Sequence, residues 1–323
     1  MEKKKILAIP GDGIGKEVVP VALEILEVVE PSLDIYLKDA GYALWKECGE
    51  SIADSLLQFA TEVDGVLFGC GQSPSPLPKG YRSPIMTLRK HMELDLNLRH
   101  CRSSDGSVDI AMVRNFTEGL YCQREHTIED GMYAEHLVTQ LPTERIARFA
   151  VQIARRRKGE VTIVHKANVL KTEVLFRQIC IDVCEEEGMP WNEVLMDAAG
   201  YHLVMHPSRF DTMLLTSHAG DILSDVGAAV VGGLGLVPSL SLNKDIPLVE
   251  PIHGAAPDII GLGIADPVAT ILSICLMLEH LGLEREIILR NAVYDHLADY
   301  PRPLKNQLTT EFIKQDIINR LKK

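Results

Sequence analysis

Two arginines, Arg89 and Arg99, lie ten residues apart in a chain that is acidic overall. The chain has a formal net charge of −12 at pH 7, from 33 Lys and Arg residues against 45 Asp and Glu residues. This charge argues against a nucleic-acid partner, because binding a phosphate backbone requires a basic surface. An acidic protein that binds a small anion needs a local basic pocket. The two arginines could form such a pocket, although a solvated helix face would also account for their spacing.

The segment "GDILSD" places two carboxylates, Asp221 and Asp225, four residues apart. On a helix they share one face, where like charges repel unless a cation lies between them. Hard oxygen ligands in this pattern are typical of Mg²⁺ or Mn²⁺ sites. Acidic residues near the start of a helix are also favoured by the helix dipole. From these residues alone, a metal site and a stabilised helix are both open interpretations.

Other polar side chains follow the ends of predicted strands. Lys166 and Asn168 come after a buried strand pattern, where a lysine is costly unless it is paired or functional. Arg114 ends another strand pattern, and Tyr121 lies seven residues later. The turn-rich loop "EPIHGAAPD" contains His253. Each of these residues taken singly could equally have a structural role.

Strand patterns and helical patterns alternate along the chain, and these elements must position the polar residues named above. Strand patterns occur in "KKILAIP", "VDGVLFG", "GSVDIAMV", "EVTIVH" and "RFDTMLLT". Helical spacing occurs in "KEVVPVALEILEVV", "TERIARFAVQIARRR", "TEVLFRQICIDVCEEEG" and "GDILSDVGAAVVGG". This alternation predicts an α/β architecture. A length of 323 residues is natural for two domains, but no Pro/Gly/Ser-rich linker marks a boundary.

The cysteines and the apolar runs indicate a cytoplasmic protein. The seven cysteines are odd in number and form no CxxC pair, which favours reduced thiols over a disulfide framework. The apolar run at the N-terminus stops at Pro10, which is too short for a signal peptide. The run "VATILSICLML" is too short to span a bilayer and predicts a buried helix. We therefore expect no membrane partner.

Taken together, the motifs resemble one family along nearly the whole chain. The matching blocks are "GDGIG", "LRK", "NLR", "TEGLY", "HKANVL", "FDTMLLT", "GDILSD", "GGLGLVPS" and "EPIHGAAPDI". They occur in the order found in the metal-dependent β-decarboxylating dehydrogenases, the isocitrate/isopropylmalate dehydrogenase family. The resemblance implies NAD(P)-linked oxidation of a substituted malate, followed by loss of its β-carboxylate as CO₂.

The resemblance also implies an isocitrate/isopropylmalate dehydrogenase-like two-domain α/β fold, distinct from a Rossmann fold. Residues 1–94 and 232–323 would form the large domain on the cofactor side. Residues 95–231 would form the small domain, which would contain the dimer interface, the catalytic lysine and the metal ligands. We therefore expect a homodimer in which the two subunits share their active sites.

The same resemblance assigns roles to individual residues. Arg89, Arg99 and Arg114 correspond to the arginines that bind the malate carboxylates, and such pairs fix orientation because guanidinium groups bind carboxylates in a bidentate manner. The expected ligands of Mg²⁺ or Mn²⁺ are Asp197, Asp221 and Asp225, with Asp197 coming from the partner subunit. Lys166, also expected from the partner, would take part in removing the hydroxyl proton. Tyr121 would protonate the enol carbon after CO₂ leaves.

The expected cofactor is NAD. Ile14 in the "GDGIG" loop and Asn168 correspond to positions near the nicotinamide. The adenosine pocket would contain His253, Gly254, Ala255, Ala256, Asp258 and Asp266. An aspartate at 258 would accept from ribose hydroxyls and would repel a 2′-phosphate, which favours NAD over NADP.

The substrate is predicted from the segment "GYRSPIMTLRK". Arg82 and Ser83 suit an additional carboxylate, so homoisocitrate or isocitrate ranks first. Ile85 and Met86 are apolar, which keeps 3-isopropylmalate (or tartrate or D-malate) as the second choice. A relative that acts on a malate with an unusual side chain comes third. A non-catalytic regulatory subunit is the alternative of another class, although the metal, lysine and tyrosine positions are all filled. Phosphoryl transfer is disfavoured because the chain has no P-loop.

Five residues depart from the family pattern, namely Asp95, His100, Asn115, Ser217 and Asp266. Asn115 replaces an acidic residue next to Arg114. Ser217 replaces an asparagine that usually faces the cofactor, and Asp266 replaces an asparagine near adenine. We expect these changes to alter cofactor affinity and substrate choice, but not the reaction class.

Overall fold

The computed structural model describes residues 3–72, 74–243, 245–303 and 308–322. The chain divides into two compact units, which are Met1–Leu94 with Gly233–Lys323, and Asp95–Gly232. The second observed boundary lies one residue beyond the domain boundary that the resemblance predicts. Among the described residues, no helix has both the length and the apolar character that crossing a membrane would require.

The described residues form twelve strands and eleven α-helices. The strands are β1 (Lys5–Gly11), β2 (Asp34–Leu37), β3 (Gly65–Cys70), β4 (Leu96–Arg102), β5 (Asp109–Asn115), β6 (Glu125–Ile128), β7 (Gly131–Ala134), β8 (Val161–His165), β9 (Trp191–Leu195), β10 (Thr212–Leu215), β11 (Pro238–Leu242) and β12 (Leu248–Pro251). The helices are α1 (Gly15–Val29), α2 (Tyr42–Cys48), α3 (Asp54–Ala60), α4 (Pro84–His91), α5 (Gln140–Arg155), α6 (Lys171–Glu186), α7 (Met196–Met205), α8 (Ser217–Val231), α9 (Val268–His280), α10 (Glu286–Asp299) and α11 (Thr310–Leu321).

In the first unit the strands lie in the order β2-β1-β3-β12-β11. All neighbours are parallel except β11, which pairs antiparallel with β12. Strand β1 buries six of its seven residues, as expected for a parallel strand covered on both faces. Helices α3 and α4 pack on this sheet through a core that contains Leu57, Phe68 and Leu88. The helix predicted from "VATILSICLML" is α9, and its residues 268–278 are all buried.

In the second unit the strands lie in the order β4-β5-β10-β8-β9. Strand β4 is antiparallel to β5, and the other neighbours are parallel. Strands β6 and β7 form a separate antiparallel hairpin whose residues are all exposed. The carboxyl ends of parallel strands meet at one edge of a sheet, where ligands bind in α/β proteins. Four of the predicted site residues lie at or just after such ends, and these are Arg114, Lys166, Asp197 and Asp221.

The sequence predicted ten of these elements, five strands and five helices. Each strand and helix quoted from the sequence is present, with ends that differ by at most a few residues. Arg89 lies on a helix, α4, and Arg99 lies on a strand, β4, so the segment that joins them is not one continuous helix. The alternative of a single solvated helix face is therefore excluded.

Candidate active site

Three predicted site residues converge on the carboxylate of Asp221 in α8. Arg114 Nη2 lies 2.9 Å and Arg99 Nη2 lies 3.1 Å from Asp221 Oδ1. The Tyr121 hydroxyl donates to Asp221 Oδ2 at 2.8 Å. Arg99 also lies 3.4 Å from Asp225 Oδ1, one helical turn along α8. The structure thus brings two cations and a phenol to two carboxylates that lie at least 100 residues later in the sequence.

A glycine allows α8 to approach β5 closely enough to form this cluster. A Cβ at Gly220 would lie only 2.7 Å from the Cβ of Arg114. Glycine is therefore required here by the space available, because a methyl group would push the helix away from the strand. The glycine places the carboxylate of the next residue, Asp221, beside the guanidinium of Arg114.

The two carboxylates of the cluster differ in their electrostatic surroundings. Burial alone would raise the pKa of Asp221, but the charge of Arg114, the hydrogen bond from Tyr121 and the charge of Arg99 together hold it below its usual value. Partial burial raises the pKa of Asp225, and the opposing charge of Arg99 does not overcome this effect. Asp221 is consequently a firmly ionised acceptor, whereas Asp225 retains exposed oxygen atoms.

Burial also raises the pKa of Tyr121, and its hydrogen bond to Asp221 acts in the same direction. The phenol is thus a weaker acid here than an ordinary tyrosine, which is itself protonated at neutral pH. Its ring contacts the ring of His218 edge-on, with 6.2 Å between the ring centroids. Tyr121 is therefore positioned as a proton donor.

Two of the departures from the family pattern support the segment that carries Tyr121. The side-chain oxygen of Asn115 accepts from the backbone N–H of Thr117 at 2.6 Å and of Glu118 at 3.0 Å. The Ser217 hydroxyl donates to the Glu118 carbonyl at 2.6 Å. The backbone before Tyr121 is thus fixed to both β5 and α8.

Lys166 and Asp197 form a second group within the same unit. Lys166 follows β8, Asp197 lies in the first turn of α7, and Lys166 Nζ donates to Asp197 Oδ1 at 2.5 Å. This hydrogen bond lowers the pKa of Asp197. Asn168 lies in the exposed turn between Lys166 and α6. In one chain, therefore, Lys166 pairs with Asp197, whereas Tyr121 pairs with Asp221.

The remaining predicted substrate residues lie in the first unit. The guanidinium of Arg89 pairs with the carboxylate of Glu250 in β12, and both side chains are largely buried. Arg82 is exposed and lies 3.5 Å from Asp54. Ser83 directly precedes α4 and does not cap it through its hydroxyl. Arg89 is thus held in a fixed position, whereas Arg82 lies on the surface.

The glycine-rich loop after β1 packs on the loop after β12. A Cβ at Gly13 would lie 2.0 Å from the Ala255 carbonyl oxygen, and the same oxygen accepts from the Ile14 N–H at 3.0 Å. Asp12 of this loop is buried, and its carboxylate accepts from three backbone N–H groups, those of Tyr42, Ala43 and Gln72. Asp12 therefore has a structural role, which the motif alone does not reveal.

The loop after β12 contains a buried histidine nitrogen that has no hydrogen-bond partner among the described residues. This atom is His253 Nε2, whereas the Nδ1 of the same ring lies 3.1 Å from the Gly254 carbonyl oxygen. Burial lowers the pKa of His253. Ala256 adopts a left-handed backbone with φ +41°, and Asp258 is exposed. A buried nitrogen without a partner is expected at a site where a bound ligand supplies the missing hydrogen bond.

Asp266 makes two contacts within the first unit. One carboxylate oxygen accepts from the Val268 N–H at the start of α9 at 3.1 Å. The other lies 2.7 Å from Nε of Arg302, whose side chain is only 4% exposed. A buried cation thus accompanies the acid that replaces the family asparagine.

Comparisons with known proteins show which family the chain matches. The family model described as isocitrate/isopropylmalate dehydrogenase matches residues 5–314. The chain is 37% identical to a homoisocitrate dehydrogenase from Methanocaldococcus jannaschii, with 99% of this chain and 98% of that protein covered. It is 40% identical to a 3-isopropylmalate dehydrogenase from Archaeoglobus fulgidus, with 88% of each chain covered.

A solved structure is similar over the same length. The crystal structure of isocitrate dehydrogenase from Methylococcus capsulatus matches with a TM-score of 0.93 and 34% identity, covering 99% of this chain and 100% of that chain. The predicted isocitrate/isopropylmalate dehydrogenase-like α/β fold is thereby confirmed. The names of the relatives include different substrates, so they agree on a dehydrogenase and differ on what it oxidises.

Proposed function

The chain belongs to the isocitrate/isopropylmalate dehydrogenase family, and from this premise we propose that it catalyses the NAD-dependent oxidative decarboxylation of a 3-substituted (R)-malate. The observation that carries the proposal is the convergence of Arg99, Arg114 and Tyr121 on Asp221. This cluster combines anion binding, a candidate metal ligand and a proton donor. An oxidative decarboxylase needs all three.

The arginines supply the anion-binding part of the site. The side chains of Arg99 and Arg114 are 11% and 3% exposed. A largely buried guanidinium forms strong bidentate pairs with carboxylates, because water competes little for its N–H groups. In the structure these guanidinium groups pair with Asp221 and Asp225. They would bind a polycarboxylate once a divalent cation neutralises the two aspartates. The resemblance adds Arg89 as a third binding residue.

The carboxylates of α8 fit a divalent cation. Asp221 and Asp225 present partly exposed oxygen atoms from one helix face, and hard oxygen donors suit Mg²⁺ or Mn²⁺. Asp197 of the partner subunit would complete the set. When bound, the cation would polarise the C2 oxygen of the substrate and stabilise negative charge on it after CO₂ leaves.

The proton transfers fall to Tyr121 and Lys166. The Tyr121 hydroxyl holds its proton and lies 2.8 Å from Asp221, so it can act as the acid toward the enol carbon. Burial and the bond to Asp221 raise its pKa in this structure, and a divalent cation bound at Asp221 would lower it toward the value that an acid needs. Lys166 of the partner subunit would help to remove the hydroxyl proton. In the present structure Lys166 Nζ contacts the carboxylate of Asp197. In the shared site we also expect Lys166 to contact an acidic side chain.

Two loops of the first unit fit a nicotinamide cofactor. The buried Nε2 of His253 lacks a hydrogen-bond partner among the described residues, and a bound nucleotide would provide one. The tight packing of Gly13 on Ala255 holds the two loops together at the carboxyl ends of β1 and β12. The exposed carboxylate of Asp258 favours NAD, because a 2′-phosphate would be repelled by its charge.

Homoisocitrate or isocitrate is the first choice of substrate. The homoisocitrate dehydrogenase from M. jannaschii matches over 99% of the chain, and Arg82 with Ser83 would suit an additional carboxylate. The second choice is 3-isopropylmalate, since the A. fulgidus enzyme of that name is 40% identical. The apolar residues Ile85 and Met86 support this second choice.

A second copy of the chain is the proposed partner. Helices α6 and α7, with the turn before α6, expose large apolar side chains at 39–67%. They are Val169, Leu170, Val174, Leu175, Tyr201, Val204 and Met205. Apolar side chains exposed in such number mark interaction surfaces. A homodimer with shared sites would bury them and bring Lys166 and Asp197 to the other subunit's Tyr121.

The proposal is tested with a substrate panel. The purified protein is assayed with isocitrate, homoisocitrate, 3-isopropylmalate, tartrate and D-malate, using NAD⁺ or NADP⁺ and Mg²⁺ or Mn²⁺. We expect NADH formation, fastest with a tricarboxylate. Fastest turnover of 3-isopropylmalate would favour the second substrate, and absence of turnover with all five compounds would favour a regulatory subunit.

A further inference from the structure

Glu173 is a buried acidic residue that the mechanism above does not use. It lies in the first turn of α6, and only 1% of its surface is exposed. A buried carboxylate is costly unless hydrogen bonds or opposite charges compensate for its lost hydration. The groups that contact the Glu173 carboxylate compensate for its lost hydration. They therefore show which segments Glu173 holds in place.

Three groups from three segments of the second unit surround this carboxylate. The backbone N–H of Lys166 donates to Oε2 at 3.2 Å, and the Thr216 hydroxyl donates to Oε1 at 3.3 Å. Nε2 of His136 lies 3.4 Å from Oε1. The Nδ1 of the same histidine is buried and has no hydrogen-bond partner among the described residues. Glu173 is thus the principal polar contact of the His136 ring.

Each of the three groups leads directly to a residue of the proposed mechanism. The first belongs to Lys166 itself. Thr216 is the N-cap residue of α8, the helix that carries Asp221. His136 adjoins Leu137, whose backbone pairs with that of Gly119 through two hydrogen bonds of 2.7 and 3.2 Å. Gly119 lies two residues before Tyr121.

The turn at Lys166 is held on its other side as well. The Ala167 N–H donates to Nδ1 of His165 at 3.2 Å, so the hydrogen of this ring lies on Nε2, which faces Glu193 at 3.3 Å. Arg177 fixes Glu193 through contacts of 2.5 and 2.9 Å. Two consecutive backbone N–H groups are therefore bound by side chains, which leaves the lysine little freedom at its base.

We propose that Glu173 is a positioning residue that fixes the Lys166 turn, the start of α8 and the Tyr121 segment relative to one another. This inference rests on the proposed function for its catalytic consequence. Glu173 does not contact substrate or cofactor in this account. It acts through the lysine backbone and the N-cap of α8, and a displacement of about 1 Å at such groups can reduce turnover by about 100-fold.

Two variants and one matched control test the proposal. Glu173→Ala removes all three contacts, whereas Glu173→Gln keeps one acceptor oxygen in nearly the same shape. The control is Asp211→Asn, which alters another buried carboxylate of the same unit. Asp211 accepts from Arg157 Nε at 3.0 Å and from the Lys158 N–H at 3.2 Å, and it lies at the opposite end of β10 from Thr216.

Kinetics distinguish positioning from loss of stability. We expect Glu173→Ala to lower kcat per folded molecule about 10-fold to 100-fold with little change in KM, and Glu173→Gln to recover part of this loss. With substrate deuterated at the hydroxyl-bearing carbon, the isotope effect on kcat should rise in both variants, because the chemical step becomes slower. The control should lose stability but keep the wild-type isotope effect. A wild-type kcat and isotope effect in Glu173→Ala would overturn the proposal.

Hydrogen exchange provides a measurement that does not depend on activity. We expect backbone amides of residues 166–170 and 216–220 to exchange faster in Glu173→Ala than in the wild type or in Asp211→Asn. Unchanged exchange in both segments would overturn the positioning role. If the wild type oxidises none of the five test substrates, the proposed function fails, and the exchange result alone decides whether Glu173 holds the two segments.

Discussion

Tyr121 and Asp221 form the pair of side chains on which the proposed chemistry depends most. Their 2.8 Å hydrogen bond places the phenolic proton toward a carboxylate that Arg114 and Arg99 keep ionised. The hydrogen bond orients the protonated phenol before any substrate binds. Such a group can act as a general acid without losing its proton to water at neutral pH.

Tyr121→Phe removes this proton while keeping the ring. We expect kcat for oxidative decarboxylation to fall by a factor of about 10² to 10⁴, the range for loss of a general acid. Substrate affinity should change little, because the arginines remain. Steady-state NADH formation measures the effect, with Tyr36→Phe in the first unit as a matched control. A kcat within twofold of the wild type would exclude Tyr121 as the acid.

Cofactor choice depends on another single residue, Asp258. We expect Asp258→Lys to weaken NAD⁺ binding and to improve NADP⁺ binding, because the charge facing the 2′ position reverses from repulsive to attractive. KM values for both cofactors measure the change. Glu27→Lys, which reverses the charge of an exposed residue on α1, is the control for net charge. A wild type that already prefers NADP⁺ would contradict the assignment of Asp258.

At the scale of elements, strand β5 is anchored at one end by charge and at the other by the active-site cluster. Its first residue, Asp109, lies 2.8 Å from His100 and 2.6 Å from Arg157. His100, one of the departures from the family pattern, therefore stabilises the start of β5. The other end of the strand carries Arg114, so the ion pairs at Asp109 help to hold the strand that positions this arginine.

The Asp109 ion pairs predict a pH-dependent stability. Burial alone would raise the pKa of Asp109, but the hydrogen bond and charge of His100 and the charge of Arg157 depress it well below its usual value. A depressed folded-state pKa gives stability that is present above the unfolded pKa of about 3.9 and is lost as pH falls through the folded pKa.

We therefore expect Asp109→Asn to lower the free energy of unfolding by about 2 kcal/mol near neutral pH, with a smaller effect below about pH 4. Urea denaturation at a series of pH values measures it. Asp130→Asn, at an exposed residue in the turn between β6 and β7, should have little effect. A loss that is the same size at low and at neutral pH would contradict the assigned charge interaction.

The sequence predicted elements with strong periodicity and missed those defined by tertiary contacts. Strand β1 and helix α9 are continuous apolar segments, and their burial follows from composition. The hairpin β6–β7 has no buried face, so it has no periodic signal. Glu173 resembles any acidic residue in a helix until the fold brings Thr216 and His136 to it.

The sequence likewise predicted only part of the candidate active site. Residue types and strand ends indicated Arg114 and Lys166, and the helical spacing indicated the Asp221 and Asp225 pair. The spacing alone did not decide between a metal site and helix stabilisation, and the structure shows that Arg99 lies within reach of both carboxylates. Contacts between distant segments are set by packing, which local patterns do not encode.

At the scale of the whole molecule, the proposed reaction requires two chains. Within one chain, Lys166 pairs with Asp197, and Tyr121 pairs with Asp221. In a dimer with shared sites, each site would combine Tyr121 and Asp221 of one subunit with Lys166 and Asp197 of the partner subunit. Such an arrangement would leave an isolated chain without a complete set of catalytic residues.

Subunit complementation tests this arrangement. Lys166→Met and Tyr121→Phe proteins should each be nearly inactive alone. After reassembly from an equal mixture, each heterodimer should contain one intact site, and about a quarter of the wild-type activity should return if mixing is random. Each variant reassembled with itself is the control. No recovery, despite heterodimers shown by native mass spectrometry, would mean that each site is built from one chain.

In the proposed function, oxidation and decarboxylation occur in one metal-dependent reaction. The most direct measurement is the stoichiometry of a single incubation with the best substrate, in which NADH, CO₂ and remaining substrate are quantified together. We predict equal molar amounts of NADH and CO₂ for each substrate molecule consumed, with both products abolished by a chelator and restored by Mg²⁺ or Mn²⁺. NADH without CO₂, CO₂ without NADH, or unchanged turnover after complete removal of divalent metal would contradict it.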